Sequence, residues 1–315
     1  MNETRRRVLD ALSDGPMSGP ELAERLDVSR AAVWKHVEEL RDEAFEIAST
    51  DDGYELVGVP EFGGAAVEFG LDAPFDVEYH DAVGSTNDRA RELAEAGRED
   101  VAVLADEQTG GRGRLDREWA APSGGIWLSV LTRPDVPPTH APLFTLAAAV
   151  AVTRAAREAG VPAEIKWPND VLVPADDADA PVGGRKLVGI LTEMEGEADR
   201  VSWVVVGIGI NANVDVSDLV SGATSLRAEG GDVDRRLFTQ RVLEEFHALT
   251  NDLDSVLPAW REYASTLGQR VRVETPSGAV VGEAVDVTFP GALVVETDDG
   301  QVTVTAGDCD HLRPV

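Results

Sequence analysis

The spacing of apolar residues changes along the chain, and this constrains the fold more than any other sequence feature. Up to about residue 60 apolar side chains recur at helical spacing, whereas beyond residue 267 they alternate with polar ones, as in RVRVE and ALVVET. Spacings of three and four indicate amphipathic helices, and alternation indicates strands with one buried face. With 315 residues and roughly 100 to 200 residues per domain, two or three domains are expected.

Residues 1–60 are predicted to form a winged helix-turn-helix, with the helix-turn-helix itself at about 19–38. Pro20 suits the first turn of the second helix, Ser29 suits the N-cap of the third, and the Asp-Gly turn in FEIASTDDGYEL predicts a two-stranded wing. The outer face of the third helix then carries the candidate DNA contacts Ser29, Arg30, Ala31, Trp34, Lys35 and His36.

The local charge keeps an alternative open for this segment. Residues 1–60 hold 7 basic and 14 acidic side chains, a net charge of −7. Phosphate groups attract cations, so such a segment is an unusual DNA-binding surface. A winged helix that serves packing or protein contact stays open.

After a Gly-containing link at 61–67, residues 68–267 alternate between strands and helices, as in an α/β or α+β domain. Strands are predicted over 76–80, 101–107, 126–131, 164–167, 188–194 and 201–210. Helices are predicted over 87–97, 142–159, 234–250 and 257–266. Residues 268–315 predict a small barrel of about five strands, which gives an α+β chain in total. The acidic stretch 174–184 is predicted to be a solvated, mobile loop.

The most informative motif is EQTGGRGR, Glu107–Arg114, which follows a predicted strand. Its glycines let backbone N–H groups turn toward an anion, and Arg112 and Arg114 add charge-assisted hydrogen bonds to a phosphate or carboxylate. It is no Walker loop, because the Gly-Lys-Ser/Thr ending is missing. A plain surface loop with solvated arginines is the alternative.

Lysine is rare in this chain. Of the 28 basic residues only Lys35, Lys166 and Lys186 are lysines. Two of them stand at strand ends, in the motifs KWPND and GRKL, where ligands commonly bind in α/β domains. This placement favours a functional role for both.

Two further motifs have competing interpretations. GIGIN, Gly207–Asn211, formally starts a dinucleotide fingerprint, but no helical pattern follows, so we instead expect a ligand ring against the glycines. Ser85-Thr86-Asn87 resembles a helix cap that could also contact a ligand. Among the six tryptophans only Trp119 is placed to cover a ligand.

Composition excludes several classes of protein. One cysteine excludes a disulfide framework, the five scattered histidines suggest no metal site, and no apolar run approaches the roughly 18 residues of a membrane span. The chain is expected to be cytoplasmic, without a membrane partner. Its net charge of −30 with almost no lysine suggests a halophilic origin, because carboxylates retain water and cations at high salt.

Taken in order, STN, EQTGGRGR, KWPND, GGRKLVGIL and GIGIN resemble the biotin protein ligases, and the upstream SRAAVWKHVEELR resembles the bifunctional group that also represses the biotin operon. The resemblance implies a winged helix, a catalytic domain related to class II synthetases and an SH3-like barrel. It also implies biotin-[acetyl-CoA-carboxylase] ligase activity, with ATP, biotin and Mg²⁺. The expected partners are a carboxylase carrier domain, operator DNA and a second copy in a homodimer.

The resemblance also assigns roles to residues. Those implied to be catalytic are Lys186, Arg112 and Arg114. Those implied to bind biotin are Ser85, Thr86, Asn87, Gln108, Gly111, Arg112, Gly113, Arg114 and Lys186. Those implied to bind ATP are Arg112, Trp119, Lys166, Asn169 and Asn211.

Three alternatives remain at this point. The first is a lipoate-type protein ligase, which shares the fold and an adenylating lysine. The second is a ligand-sensing transcription regulator without ligase activity. The third is a ligase without repressor function, which the acidity of residues 1–60 keeps open.

Overall fold

A computed structural model describes residues 1–114, 117–175 and 181–312. The chain forms two compact units, Met1–Asp72 and Ala73–Val315. Part of the predicted acidic loop, residues 176–180, lies outside the described residues. Within the described ranges, none of the helices has both the length and the apolar character needed to cross a membrane.

The first unit contains the predicted three helices and hairpin. Its elements are α1 (Glu3–Ser13), α2 (Gly19–Leu26), α3 (Arg30–Asp42), β1 (Glu46–Thr50), β2 (Gly53–Gly58) and α4 (Gly64–Glu68). The helical faces meet in a core that includes Leu9, Leu22, Val37 and Leu40, all fully buried. The short helix α4 occupies most of the stretch predicted as a link, and Ala65 packs against the same core.

Local hydrogen bonds explain where these helices begin and turn. Ser18 and Glu21 form a reciprocal capping box at the start of α2, which satisfies backbone N–H groups that the helix leaves unpaired. Asp27 ends α2 in the left-handed region at φ 54°, which makes the tight turn into α3. Ser29 then caps α3, with its Oγ 3.1 Å from the Ala32 nitrogen.

The second unit is built on a seven-stranded mixed sheet with the order β3-β4-β5-β9-β8-β7-β6. Its strands are β3 (Asp76–Val83), β4 (Val101–Gln108), β5 (Ile126–Thr132), β6 (Glu164–Lys166), β7 (Asp170–Val173), β8 (Arg185–Gly196) and β9 (Val201–Ile210). Strands β3 and β4 pair in parallel, and the other neighbours are antiparallel. The six predicted strands are confirmed, whereas β7 was not predicted because its four residues are too few to show a period.

Helices cover both faces of this sheet. They are α5 (Thr86–Glu95), α6 (Ala141–Glu158), α7 (Leu226–Gly230), α8 (Arg235–Asn251) and α9 (Val256–Tyr263), with short 3₁₀ turns at Pro138–His140, Val216–Asp218 and Leu253–Ser255. Leu93 of α5 packs with Val205, while Thr145 of α6 bonds Thr192 at 2.7 Å on the opposite face. Side chains of neighbouring strand residues point to opposite faces, so α5 and α6 enclose the sheet between them.

The C-terminal segment forms a five-stranded antiparallel sheet in the order β13-β12-β11-β10-β14. Its strands are β10 (Arg270–Thr275), β11 (Gly278–Thr288), β12 (Ala292–Thr297), β13 (Gly300–Val304) and β14 (Asp308–His311). The predicted number of strands is confirmed. A closed barrel is not confirmed, because no strand pairing among the described residues joins the two edge strands β13 and β14.

Candidate functional site

A cavity of about 620 Å³ opens on the α5 face of the large sheet, and most of the predicted ligand-binding residues line it. These are Ser85, Thr86, Asn87, Gln108, Arg112, Gly113, Arg114, Trp119, Asn169 and Lys186. They come from five separate stretches of chain, so the fold brings together motifs that the sequence shows only in order.

The STN motif forms the first turn of α5 at the edge of this cavity. Ser85 caps the helix by accepting a hydrogen bond from the Asp88 nitrogen at 3.4 Å. The backbone nitrogen of Thr86 donates to Gln108 Oε1 at 2.8 Å. The helix cap is therefore confirmed, and the motif also lines the cavity, whereas its contact with a ligand stays a prediction.

Glycines leave one side of strands β8 and β9 bare, and Trp119 lies on that bare patch. Gly189 pairs with Gly209, and both side-chain positions point to the α5 face. A Cβ on Gly189 would lie 2.9 Å from the Trp119 ring, and one on Gly209 would lie 2.8 Å from its Nε1. The indole N–H is buried and finds no acceptor among the described residues. The glycines thus leave room for a flat ring, here that of Trp119. A ligand ring at this place stays a prediction.

Lys186 lies at the centre of the charged part of the cavity. Its Nζ is 2.7 Å from Asp170 Oδ1 and 5.1 Å from the centroid of the Trp119 ring. Its backbone is fixed on both sides, because its nitrogen donates to Gly222 and its carbonyl accepts from Thr224, each at 2.9 Å. The ammonium is about one-third exposed, which leaves it accessible to an anionic ligand.

The two arginines of the GRGR loop differ in their surroundings. Arg112 is exposed and pairs with Asp88 at 3.1 Å. Arg114 is more buried and donates to Asn169 Oδ1 at 2.9 Å and to the Gly307 carbonyl at 2.8 Å. Arg114 therefore connects the loop with the KWPND turn and with the C-terminal sheet, whereas Arg112 can turn toward a ligand.

Three predicted ligand-binding residues are not among those that line the cavity. Gly111 lies against the Trp119 carbonyl, and Lys166 pairs with Asp310 at 3.8 Å. Asn211 is buried and donates to the Thr224 carbonyl at 2.9 Å, which ties the end of β9 to the segment that holds Lys186.

The cavity also contains charged residues that sequence reasoning did not single out. They are Asp88, Arg91, Arg117, Glu118, Asp170, Glu193 and Asp308. Asp170 ends the KWPND motif that begins at Lys166, so the motif itself could have indicated Asp170 as a candidate site residue. Glu193 and Asp308 stand within ordinary strand patterns, and only the tertiary structure brings them to the cavity.

The candidate DNA contacts lie on the exposed side of α3, as the pattern predicted. Trp34 is 59% exposed, and Lys35 is exposed with its Nζ 3.6 Å from Glu39. Half-buried His36 also contacts Glu39, at 3.0 Å. This acidic neighbour partly neutralises the positive charge on the face.

Beside the cavity, burial perturbs two titratable groups of β14. Burial, aided by nearby Lys166, lowers the pKa of His311 to about 4, and its Nε2 lies 3.1 Å from Thr266 Oγ1. Burial raises the pKa of the Cys309 thiol to about 12. His311 is therefore neutral and Cys309 unreactive near pH 7.

Comparison with known proteins identifies the class. Residues 82–211 match the model of the Biotin/lipoate A/B protein ligase family, residues 266–312 match the Biotin protein ligase C terminal domain, and residues 4–55 match an HTH domain. The fold and site are thus those of a protein ligase joined to a helix-turn-helix unit. The chain belongs to the biotin protein ligase family, which confirms the resemblance seen in the motifs.

Relatives and solved structures agree with this assignment. The chain is 38% identical to the bifunctional ligase/repressor BirA of Bacillus subtilis, with 93% of each protein covered. It is 38% identical to the biotin--[acetyl-CoA-carboxylase] ligase of Mycobacterium tuberculosis, over 73% of this chain and 86% of that protein. The biotin protein ligase from Aquifex aeolicus in complex with biotin and ATP superposes with a TM-score of 0.63 at 25% identity, covering 75% of this chain and 99% of that one.

Proposed function

We propose that this protein activates biotin with ATP and transfers it to a lysine of a carrier domain in a biotin-dependent carboxylase. The observation that carries the proposal is the cavity in which Lys186 and Arg112 lie beside the polar side chains of Thr86 and Gln108. Such a cavity provides cations for two anionic reactants and hydrogen-bonding groups for a neutral polar head.

The first step joins two anions. A biotin carboxylate oxygen forms a bond to the α-phosphorus of ATP, and the bond to pyrophosphate breaks. The carboxylate is already ionised at neutral pH, so the step requires positive charge and no general base. Lys186 contacts the carboxylate and the transferring oxygen, and Arg112 stabilises the charge that develops on the phosphate. Arg114 orders the GRGR loop, which carries Arg112, through its hydrogen bonds to Asn169 and Gly307.

The second step transfers the acyl group. The amine of the carrier lysine attacks the carbonyl of biotinyl-AMP, an amide bond forms and AMP leaves. Lys186 remains near the same carbonyl oxygen, where its charge stabilises the tetrahedral intermediate. The Lys186 ammonium is about one-third exposed, so the carrier side chain can reach it from solvent.

Magnesium is proposed to enter with ATP. Magnesium is usually held by one or two carboxylates together with substrate phosphates. Asp170 and Asn169 present oxygen atoms at the cavity wall and suit this role. The described residues contain no cluster of three or more His, Cys, Asp or Glu that could hold a metal ion.

Trp119, Lys166 and Asn211 are proposed to serve the nucleotide. Trp119 lines the cavity and presents an aromatic face to an adenine ring. Lys166 and Asn211 lie behind the wall, so their proposed effect is indirect, through the KWPND turn and the end of β9.

The ligase proposal is tested by ATP–pyrophosphate exchange with biotin and, separately, with lipoate. We expect exchange with biotin alone, followed by labelling of a carrier domain. Exchange with lipoate alone would establish the lipoate-type alternative. Biotin binding without any exchange would establish the ligand-sensing regulator.

We also propose that the first unit binds operator DNA and represses transcription of the biotin genes when biotin is abundant. Exposed Arg30, Trp34 and Lys35 on α3 support contact with a major groove. Gel-shift titration on the gene's own promoter should give a biotin-dependent complex whose size also reports dimerisation. A protein that ligates biotin but shifts no promoter fragment would be a ligase without repressor function.

We also propose a three-domain architecture for the chain. Residues 1–60 form the winged helix, residues 68–267 form a catalytic domain related to class II synthetases, and residues 268–315 form an SH3-like barrel. The charge of −30 and the near absence of lysine support a cytoplasm of high salt as the working environment. Full folding and activity in dilute buffer would contradict this halophilic assignment.

A further inference from the structure

A buried serine lies directly behind the cavity wall. Ser129 of β5 has no exposed surface and does not line the cavity. Its Oγ is 2.6 Å from Asn87 Oδ1 and 2.7 Å from Thr86 Oγ1. The Ser129 hydroxyl is the donor in both contacts, so its single proton lies between the two oxygens. This arrangement requires the Asn87 amide to turn its oxygen, and not its nitrogen, toward Ser129.

Glu193 of β8 fixes that orientation. The Asn87 Nδ2 donates to Glu193 Oε2 at 2.9 Å and to the Leu191 carbonyl at 3.3 Å. A carboxylate and a carbonyl only accept hydrogen bonds, so the amide nitrogen must face β8 and the amide oxygen must face Ser129. Gly207 provides the space, since a Cβ there would overlap Asn87 Oδ1.

The directions of the remaining hydrogen bonds follow. Ser129 donates to Thr86 Oγ1 as well as to Asn87 Oδ1, and the Thr86 hydroxyl donates its own proton to Gln108 Oε1 at 3.1 Å. The Thr86 oxygen then keeps a lone pair for another donor. Gln108 Oε1 is held by the Thr86 backbone N–H at 2.8 Å, so the Gln108 amide nitrogen points away from Thr86. The wall therefore offers an acceptor at Thr86 and a donor at Gln108.

We propose that Ser129 and Glu193 are positioning residues that fix this donor and acceptor pattern for the cyclic urea of biotin. A urea presents N–H groups beside a carbonyl oxygen, which complements an acceptor placed beside a donor. Neither residue needs to touch the ligand, because both act through Asn87 and Thr86. The inference rests on the proposed biotin ligase function and adds the determinants of its ligand specificity.

The first test compares Ser129→Ala and Glu193→Leu with the wild type in biotin-dependent ATP–pyrophosphate exchange. We expect the KM for biotin to rise about tenfold, the scale of one hydrogen bond, with kcat and the KM for ATP unchanged. Glu193→Gln keeps an acceptor oxygen for Asn87 and should restore the wild-type KM. Equal increases in the KM for biotin and for ATP would overturn the proposal.

Matched controls separate positioning from general damage to the fold. Glu195 lies two residues along the same strand, outside the cavity lining, and Thr153 is a buried hydroxyl of α6. Glu195→Leu and Thr153→Val should leave the KM for biotin unchanged. An increase in either control as large as that in Ser129→Ala would contradict a specific role for the chain of hydrogen bonds.

A ligand-side test distinguishes this inference from the proposed function. The probe is a biotin carbamate in which oxygen replaces one urea N–H. The wild type should bind it about tenfold more weakly than biotin, and Ser129→Ala should lose most of this discrimination. Full discrimination in Ser129→Ala would overturn the positioning role. Absence of biotin-dependent exchange in the wild type would instead overturn the proposed ligase function.

Discussion

The ammonium of Lys186 and the carboxylate of Asp170 lie 2.7 Å apart at the charged end of the cavity. The two residues stand on adjacent strands, and the pairing between these strands contains an irregularity next to Leu172. The ion pair holds the lysine in a defined position before any ligand arrives. An anionic ligand would then compete with Asp170 for the same charge, which links ligand binding to a change in this pair.

Replacing Lys186 by alanine should abolish most adenylation. Loss of one preorganised electrostatic stabiliser typically lowers kcat by about a hundredfold or more, and the substitution leaves Asp170 without this partner. The measurement is the rate of biotin-dependent ATP–pyrophosphate exchange. Lys35→Ala, in the first unit, is the matched control and should retain the wild-type rate. A Lys186→Ala variant with a rate near that of the wild type would remove Lys186 from the proposed mechanism.

Adding a methyl group at Gly209 should weaken ligand binding. The new Cβ would lie 2.8 Å from Nε1 of Trp119, so the ring must move away from the sheet. Overpacking of this kind costs roughly 1–3 kcal/mol, and we expect the KM for ATP to rise about tenfold in Gly209→Ala because Trp119 is proposed to face the adenine ring. The control is Gly19→Ala, where a Cβ makes only an ordinary 3.7 Å contact with Tyr54. Unchanged kinetics in Gly209→Ala would show that the ring position has no role in binding.

The free energy of unfolding should decrease as the pH is lowered from 7 toward 4, because of His311. Burial lowers the pKa of His311 from 6.5 to about 4, so between these values the unfolded chain takes up a proton that the folded chain does not. The contribution is fully present above pH 6.5, declines as the pH falls toward 4, and amounts to about 3 kcal/mol.

Urea unfolding at pH 7 and at pH 4.5 measures this effect. In His311→Gln, which cannot take up the proton, the loss of stability between the two pH values should be smaller than in the wild type. The many carboxylates titrate in both proteins and cancel in the comparison. An equal loss in both proteins would contradict the assignment to His311.

Removing a cation from α3 should weaken DNA binding and its dependence on salt. Lys35 is exposed, and loss of one phosphate contact should lower the slope of log affinity against log salt by about one. Fluorescence anisotropy with a labelled promoter fragment, repeated at several salt concentrations, gives both quantities. Arg98→Ala makes the same change of charge at an exposed site in the second unit. Should both variants have the same slope as the wild type, Lys35 makes no phosphate contact.

Most of the fold could be predicted from the sequence because it depends on local patterns. The period of the apolar residues located the helices α1 to α3 and most strands of both sheets, and Ser29 marked the start of α3 as an N-cap. Strand β7 and helix α7 were missed, since four or five residues are too short to show a period. The motifs also indicated the family and most of the residues that line the cavity.

Only the tertiary structure decided how those residues are connected. No sequence pattern places Glu193 and Ser129 beside Asn87, or Arg114 beside Gly307, because these contacts join segments that are 42 to 193 residues apart in the chain. The sequence by itself determined the elements, the candidate cations and the family, since these follow from local spacing and residue type. Hydrogen-bond direction and the glycine surface beneath Trp119 depend on strand register and on side chains from separate strands, so they are defined only once the sheet has formed.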